Sequence, residues 1–320
     1  MEPSRGLADI RHLVSRLAAL AGCVLATAVV IGLVAASLAG CSGPAAGTPA
    51  HTTADRSASP APGPRYYLSL GDSLARGVQP DSSGVSRATA GRYPDRLYAV
   101  LRRGDPGLRL VKLGCSGETS YTMIRGGICH YAAGSQLAAA RSFLRAHRRA
   151  VSLVTIDIGA NDPNSCFLGG ALRKVARCMS SRVRLTVDDL RTILSGLRAA
   201  GGRHVKIIGM NYYVPELAGW LHGRNGQEIA VLTERLVDGY NGLLTRMYQR
   251  YGARVANVFA AFHSADFTDR VRLPRFGAVP RNVATICQLT WSCTRPLHRA
   301  NEHANDTGYA IIALAFLLAG

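Results

Sequence analysis

The sequence predicts an α/β fold, a three-layer sandwich in which a five-stranded parallel sheet carries helices on both faces. From Arg65 onward, short β-rich runs alternate with longer amphipathic segments, the pattern of strands joined by crossover helices. The runs number five, enough for such a sandwich, and the segment 65–320 is long enough to bury one sizeable core.

Taken in order, the first strand is Tyr66 to Leu70, an apolar run that stops at Gly71, Asp72 and Ser73. A helix is expected over Tyr93 to Arg103, a second strand over Leu108 to Leu113 and a second helix over Gln136 to Arg148. The third strand, Ser152 to Ile158, is followed by a helix over Val187 to Ala200. The fourth strand, His204 to Met210, is followed by a helix over Gln227 to Tyr251, and the fifth strand is Arg254 to Phe259. Asn305 is a natural N-cap for a last helix, Asp306 to Leu318, which turns apolar but is too short to span a bilayer and is read as core packing. The stretch Phe262 to Leu297, with its prolines and two cysteines, is too long for a plain connection and is expected to be functional or covering.

Residues 1–64 read differently. Arg5, Arg11 and Arg16 precede an apolar stretch, Leu17 to Ala36, which ends in Leu38-Ala39-Gly40-Cys41. A basic segment, an apolar segment and small residues before a cut are the marks of an export signal. The last four residues resemble a bacterial lipobox, which implies that Cys41 is the lipidated first residue of the mature chain. The expected organisation is a lipoprotein signal peptide over 1–40, a lipidated cysteine with a flexible Ala/Pro/Gly/Ser/Thr-rich tether over 41–64, and one folded domain over 65–320. The chain is then extracytoplasmic and anchored to the cell membrane, or secreted if the lipobox is not used.

The formal net charge is +18, and the only lysines among 38 basic residues are Lys112, Lys174 and Lys206. The arginines are spread along the chain with no block of them. This predicts a solvated basic surface, with attraction to an anionic envelope as the alternative, and no nucleic-acid partner. Setting aside Cys23 and Cys41, six cysteines remain: Cys115, Cys129, Cys166, Cys178, Cys287 and Cys293. Six allow 15 pairings, but these fall into three sequence-local pairs inside loops, which predicts Cys115–Cys129, Cys166–Cys178 and Cys287–Cys293. No Cys-x-x-Cys spacing or histidine cluster points to a metal, and no cofactor is expected.

In an open α/β sheet, ligands bind beyond the carboxyl ends of the strands. After the first strand comes Gly71-Asp72-Ser73-Leu74, after the second Gly114-Cys115-Ser116-Gly117, and after the third Gly159-Ala160-Asn161-Asp162. The last loop carries Asn301-Glu302-His303-Ala304-Asn305-Asp306. With these four blocks in this order, the chain resembles the SGNH (GDSL) hydrolases, and its Thr290-to-Thr294 and His303-to-Tyr309 stretches resemble the secreted, disulfide-containing lipase/esterase branch. The resemblance implies a flavodoxin-like sheet and an esterase or lipase acting on carboxylic esters. It implies Ser73 as nucleophile and His303 as base, with an oxyanion hole from the backbone N–H groups of Ser73 and Gly117 and the amide of Asn161.

Elementary chemistry agrees with those roles. A serine on a sharp turn after a strand, expected at a helix N-terminus, presents its hydroxyl outward beside a favourable dipole. Imidazole is the side chain whose ordinary pKa suits accepting that proton near neutral pH. Asp72 is expected to bond the loop backbone. The family's acid stands two or three residues before the histidine, where this chain has Asn301 and Ala300. Asn301, Glu302 or a backbone carbonyl is left to orient the ring. The competing expectation is a catalytically silent envelope lipoprotein that binds a lipid or glycan in the same cleft; a flavodoxin-like nucleotide-binding module is a further one, weakened by the lack of a phosphate-binding glycine motif after the first strand. A small-molecule or lipid ester is the expected substrate, and a monomer the expected state.

Overall fold

The computed structural model describes residues 63–163, 166, 172–294 and 301–320, with the backbone alone for 172–176. The expected signal peptide, Cys41 and nearly all of the tether lie outside the described residues. Along the chain run β1 (Arg65–Gly71), a hairpin of β2 (Val78–Pro80) and β3 (Ser86–Ala88), α1 (Tyr93–Gly104), β4 (Leu108–Lys112), α2 (Ser120–Arg125) and α3 (Gln136–Ala146). Next come β5 (Val151–Asp157), α4 (Leu172–Gly201), β6 (Lys206–Met210), a 3-10 helix (Pro215–His222), α5 (Arg224–Arg250), β7 (Arg254–Ala256) and α6 (Val258–Ala261). The chain closes with a hairpin of β8 (Arg270–Leu273) and β9 (Gly277–Pro280), α7 (Arg281–Leu289), the short ladder of β10 (Thr290–Trp291) with β11 (Asn301–Ala304), and α8 (Asp306–Ala319).

The sheet is five-stranded and parallel in the order β4-β1-β5-β6-β7. Counted by appearance in the sheet this is 2-1-3-4-5, the flavodoxin-like order, in which the strand order reverses between the first and third members while all strands stay parallel. Ser73 follows the first and Asn161 the third. β1 and β5 are buried along most of their length, and Leu68, Leu70, Val154 and Ile156 are wholly enclosed, each worth about 1.5–3 kcal/mol relative to exposure. Helices flank the sheet in two groups: α1, α6 and α7 pack against α8, while α4 packs against α2, α3 and α5. In the first group the rings of Tyr93 and Phe316 stack with centroids 4.6 Å apart.

The five strands and five long helices expected from periodicity are all present, with local differences. The fifth strand stops at Ala256, not Phe259, because the Asn257 side chain accepts from the Ala260 N–H at 3.1 Å and starts α6. The fourth begins at Lys206; His204 is drawn off to the Arg148 carbonyl. The third helix begins at Leu172 instead of Val187, so Cys178 stands in a helix and not in the loop expected of it. The segment Phe262 to Leu297 contains the β8–β9 hairpin and α7, which share a small core of Leu273, Val279, Val283 and Ala284.

Candidate active site

The turn after β1 is built on Gly71, whose φ of +138° suits glycine and whose missing Cβ makes room for the Asp157 carboxylate. Ser73 does not stand at a helix N-terminus, as the sequence suggested. Residues 73–77 form tight turns closed by Gly77 N–H to Leu74 O and Val78 N–H to Ser73 O, both at 3.0 Å, and the chain goes on into β2. The apolar pattern ends at Ala75, and the following Arg76 and Gly77 turn the chain before a helix can form. The Asp72 side chain accepts from the Leu74 N–H at 2.9 Å, so it bonds the loop backbone as expected.

The turn rests on Asp157, the last residue of β5. Its Oδ2 accepts from the N–H groups of Ala75 (3.1 Å) and Asp72 (3.3 Å), and its Oδ1 from the Tyr93 hydroxyl at 2.6 Å. Asp72 and Asp157 are both enclosed. Burial pushes the Asp72 carboxyl up to about 6 and the Asp157 carboxyl well above the usual range, with the charge of Asp72 adding to the second shift.

His303 lies 230 residues from Ser73 in sequence, on β11, yet its Nε2 is 2.9 Å from Ser73 Oγ. Asn301 Oδ1 lies 2.5 Å from His303 Nδ1 and also accepts from the His303 backbone N–H at 2.9 Å, while Asn301 Nδ2 donates to Ser86 Oγ at 2.8 Å. Glu302 Oε1 stands 3.8 Å from Nδ1, beyond hydrogen-bond reach, on a side chain 68% exposed. Of the candidate orienting groups the structure therefore brings Asn301 onto the ring and leaves Glu302 beside it. Burial lowers the His303 pKa from its ordinary value, with the Glu302 carboxylate pulling the other way.

Gly117 sits in an exposed turn at φ +80°, with open space where a Cβ would stand. That turn is fastened to the Ser73 turn: Cys115 N–H donates to Gly71 O at 3.0 Å, and Gly114 leaves room for Ala75, whose Cβ is 2.7 Å from where a Cβ on Gly114 would be. The Asn161 amide donates to the Glu118 carbonyl at 3.0 Å, next to Gly117. Asp162 accepts from the Ser120 N–H and hydroxyl, holding the start of α2 against the loop after β5. Among the described residues, the Ser73 and Gly117 N–H groups have no intramolecular acceptor, whereas those of Asp72, Leu74 and Ala75 do.

All three expected disulfides are formed. Cys115–Cys129 closes the loop that bears Gly117, Cys166–Cys178 joins the loop after β5 to α4, and Cys287–Cys293 ties α7 to the turn just after β10, the strand that pairs with β11.

Four supporting residues escaped the sequence. Asp157 had a signal, an acid inside a β-rich run, and Tyr93 and Ser86 had none. Gln136 caps the end of β1 with its amide, accepting from Gly71 N–H at 2.7 Å and donating to Gly71 O and Glu118 Oε2 at 3.0 Å each.

The model of the GDSL-like Lipase/Acylhydrolase family matches residues 69–311, which include all four blocks. Among solved structures, an extracellular lipase from Streptomyces rimosus is 17% identical with a TM-score of 0.52, over 80% of this chain and 100% of that one. A lipase from a goat rumen metagenome is 14% identical with a TM-score of 0.51, over 80% and 97%. An acetylxylan esterase from Geobacillus stearothermophilus is 18% identical with a TM-score of 0.48, over 80% and 94%. No curated protein matches. At these identities the two lipase structures speak for the fold, and the family match over most of the folded segment speaks for the chemistry: the chain belongs to the GDSL-like lipase/acylhydrolase family and is a carboxylic ester hydrolase.

Proposed function

We propose that the chain is an exported serine esterase or lipase in which Ser73 is the nucleophile, His303 the general base and then acid, and Asn301 the group that orients the ring. The observation that carries this reading is the unbroken relay from Asn301 through His303 to Ser73, with contacts of 2.5 and 2.9 Å. Asn301 fixes the proton on Nδ1, which leaves the Nε2 lone pair facing the serine hydroxyl. As Ser73 Oγ bonds to the ester carbonyl carbon, its proton passes to Nε2. Collapse of the tetrahedral intermediate breaks the bond to the alkoxy oxygen, which takes that proton and leaves as the alcohol. Water then repeats the sequence on the acyl-serine and frees the acid.

The negative oxygen of each intermediate needs donors placed in advance. The N–H groups of Ser73 and Gly117, uncommitted among the described residues, and the Asn161 amide fill that role in this reading, and one such donor is worth about 3–4 kcal/mol of barrier. Because burial disfavours imidazolium at His303, the base is neutral at pH 7. Export to an oxidising compartment is supported by the three disulfides. Lipid anchoring at Cys41 rests on the lipobox pattern alone. No helix of the described residues is long and apolar enough to cross a membrane.

A fluorophosphonate probe tests the relay directly. Stoichiometric labelling at Ser73, found by peptide mapping, is expected. A folded protein that hydrolyses esters yet labels elsewhere would remove Ser73 from the role, and one that neither labels nor hydrolyses favours the silent lipid- or glycan-binding alternative.

A further inference from the structure

The arginines that are scattered in the sequence converge in the fold. All five strands run parallel, so their N-terminal ends share one edge of the sheet, opposite the edge that carries Ser73. The segments leading into them, 63–65, 102–109, 145–151, 198–206 and 249–254, hold twelve lysines and arginines and a single acidic residue, Asp105. Contacts bind these segments into one surface. Tyr66 N–H donates to Ala150 O at 2.8 Å, and His204 Nε2 lies 2.5 Å from the Arg148 carbonyl oxygen. Arg198 donates to Tyr251 O at 2.8 Å and to Val205 O at 2.6 Å.

Part of this charge has an ordinary structural cause. Arg102, Arg103, Arg145, Arg198 and Arg250 stand in last turns of helices, where the dipole favours cations. Arg65 pairs with Asp105 at 3.3 Å, and Lys206 and Arg254 donate to the carbonyl of Gly320. Neither cause covers Arg109, Arg148, Arg149 and Arg203. These four lie outside the helices, are exposed, and make no ion pair among the described residues. A protein that needed only solubility would intersperse both signs over such a surface.

We propose that this face docks on an anionic phospholipid bilayer, holding the catalytic rim at the far end of the sheet, away from the lipid. A lipid surface is favoured over another polyanion by the place where the chain enters: β1 begins at Arg65 on this same edge, immediately after the tether that starts at Cys41, the residue the lipobox pattern marks for lipidation. The inference rests on the envelope location proposed above. Each basic side chain near an anionic leaflet strengthens attachment roughly fivefold, and the attraction fades beyond a Debye length of about 10 Å.

The test is co-sedimentation of the full chain with vesicles of phosphatidylcholine alone and of equimolar phosphatidylcholine and phosphatidylglycerol. The wild type should partition at least tenfold more strongly onto the anionic vesicles in dilute buffer, and the preference should vanish at about 0.5 M salt. Combined Arg148→Glu, Arg149→Glu and Arg203→Glu should abolish the preference while leaving hydrolysis of a soluble short-chain ester unchanged. Combined Arg102→Gln, Arg103→Gln and Arg109→Gln, which neutralises the neighbouring part of the face, should reduce it independently should the first variant misfold. Binding common to both vesicle types reports the N-terminal segment, so loss of the anchor reading is distinguishable from loss of this one. An undiminished preference in both variants, no preference in the wild type, or tighter salt-sensitive binding to duplex DNA than to the anionic vesicles would overturn the proposal.

Discussion

One oxygen of Asn301 holds His303 twice, accepting from the backbone N–H at 2.9 Å and from ring Nδ1 at 2.5 Å. The backbone N–H can only donate, so the amide orientation is fixed with its oxygen toward the ring, and the Nδ2 bond to Ser86 Oγ at 2.8 Å agrees with that assignment. Nδ1 must then carry the proton. A neutral amide thus sets the tautomer at the position where the family places an acid, and it does so without the charge that would stabilise imidazolium.

Asn301→Ala should lower kcat by about tenfold to a hundredfold, the worth of a hydrogen bond to a group that becomes charged, with KM little changed. Asn301→Asp supplies the missing carboxylate and should raise both kcat and the pH of the acid limb. Steady-state kinetics on a p-nitrophenyl ester check both, and full activity in Asn301→Ala would take the orienting role from this residue.

The acid limb of kcat/KM should lie below the ordinary imidazole value of about 6.5, because burial disfavours the protonated ring and the neutral base persists as pH falls. Glu302 is the group that pulls the other way, so Glu302→Gln should move the limb lower still and leave the plateau nearly unchanged. A pH–rate profile measures both. A loss of orders of magnitude at the plateau would instead make Glu302 the acid of the relay.

Asp157 should act on turnover without touching substrate. Asp157→Ala leaves the Ala75 N–H and the Tyr93 hydroxyl without their acceptor, while the Asp72 N–H keeps the residue-157 carbonyl at 3.1 Å; at about 1–3 kcal/mol for each buried group left unpaired, both Tm and kcat should fall. Asp157→Asn keeps an oxygen for the N–H groups and should recover most of kcat. Thermal melts beside kinetics separate the two effects; unchanged turnover in a folded Asp157→Ala protein contradicts this support of the Ser73 turn.

The disulfides should matter to the site as well as to stability. The bridges spanning 14 and 12 residues contribute roughly 2–3 kcal/mol each through loop closure, so reduction should lower Tm by several degrees. Cys129→Ser frees the loop of Gly117 and should lower kcat more than it raises KM. Equal kcat in oxidised and reduced protein at a temperature where both are folded would show that the loop holds its shape without the bridge.

The sheet and the four blocks were legible because each is written locally: a β-rich run has a period, and a glycine-rich block follows it at the carboxyl end. The three bridges were legible because their partners lie close in sequence. What joins distant segments was not. Ser86 reaches Asn301 across 215 residues and Tyr93 reaches Asp157 across 64, and neither leaves a mark in its own neighbourhood. The turn after Ser73 was misread as a helix start because the strand-to-turn pattern is common to both continuations. The basic face was hidden for a related reason: its arginines sit in five short segments far apart in sequence, and only a parallel sheet collects the starts of all its strands on one edge.

The central claim is that Ser73 and His303 act as one device in ester hydrolysis, and the most direct measurement is the hydrolysis rate of a p-nitrophenyl ester by Ser73→Ala, His303→Ala and the double variant, each shown to be folded by its circular dichroism spectrum and melt. Each single change should remove nearly all activity, and the double change should cost little more than either alone, because residues that act as a unit are not additive. Full activity in folded Ser73→Ala protein, or losses that multiply in the double variant, would contradict the account.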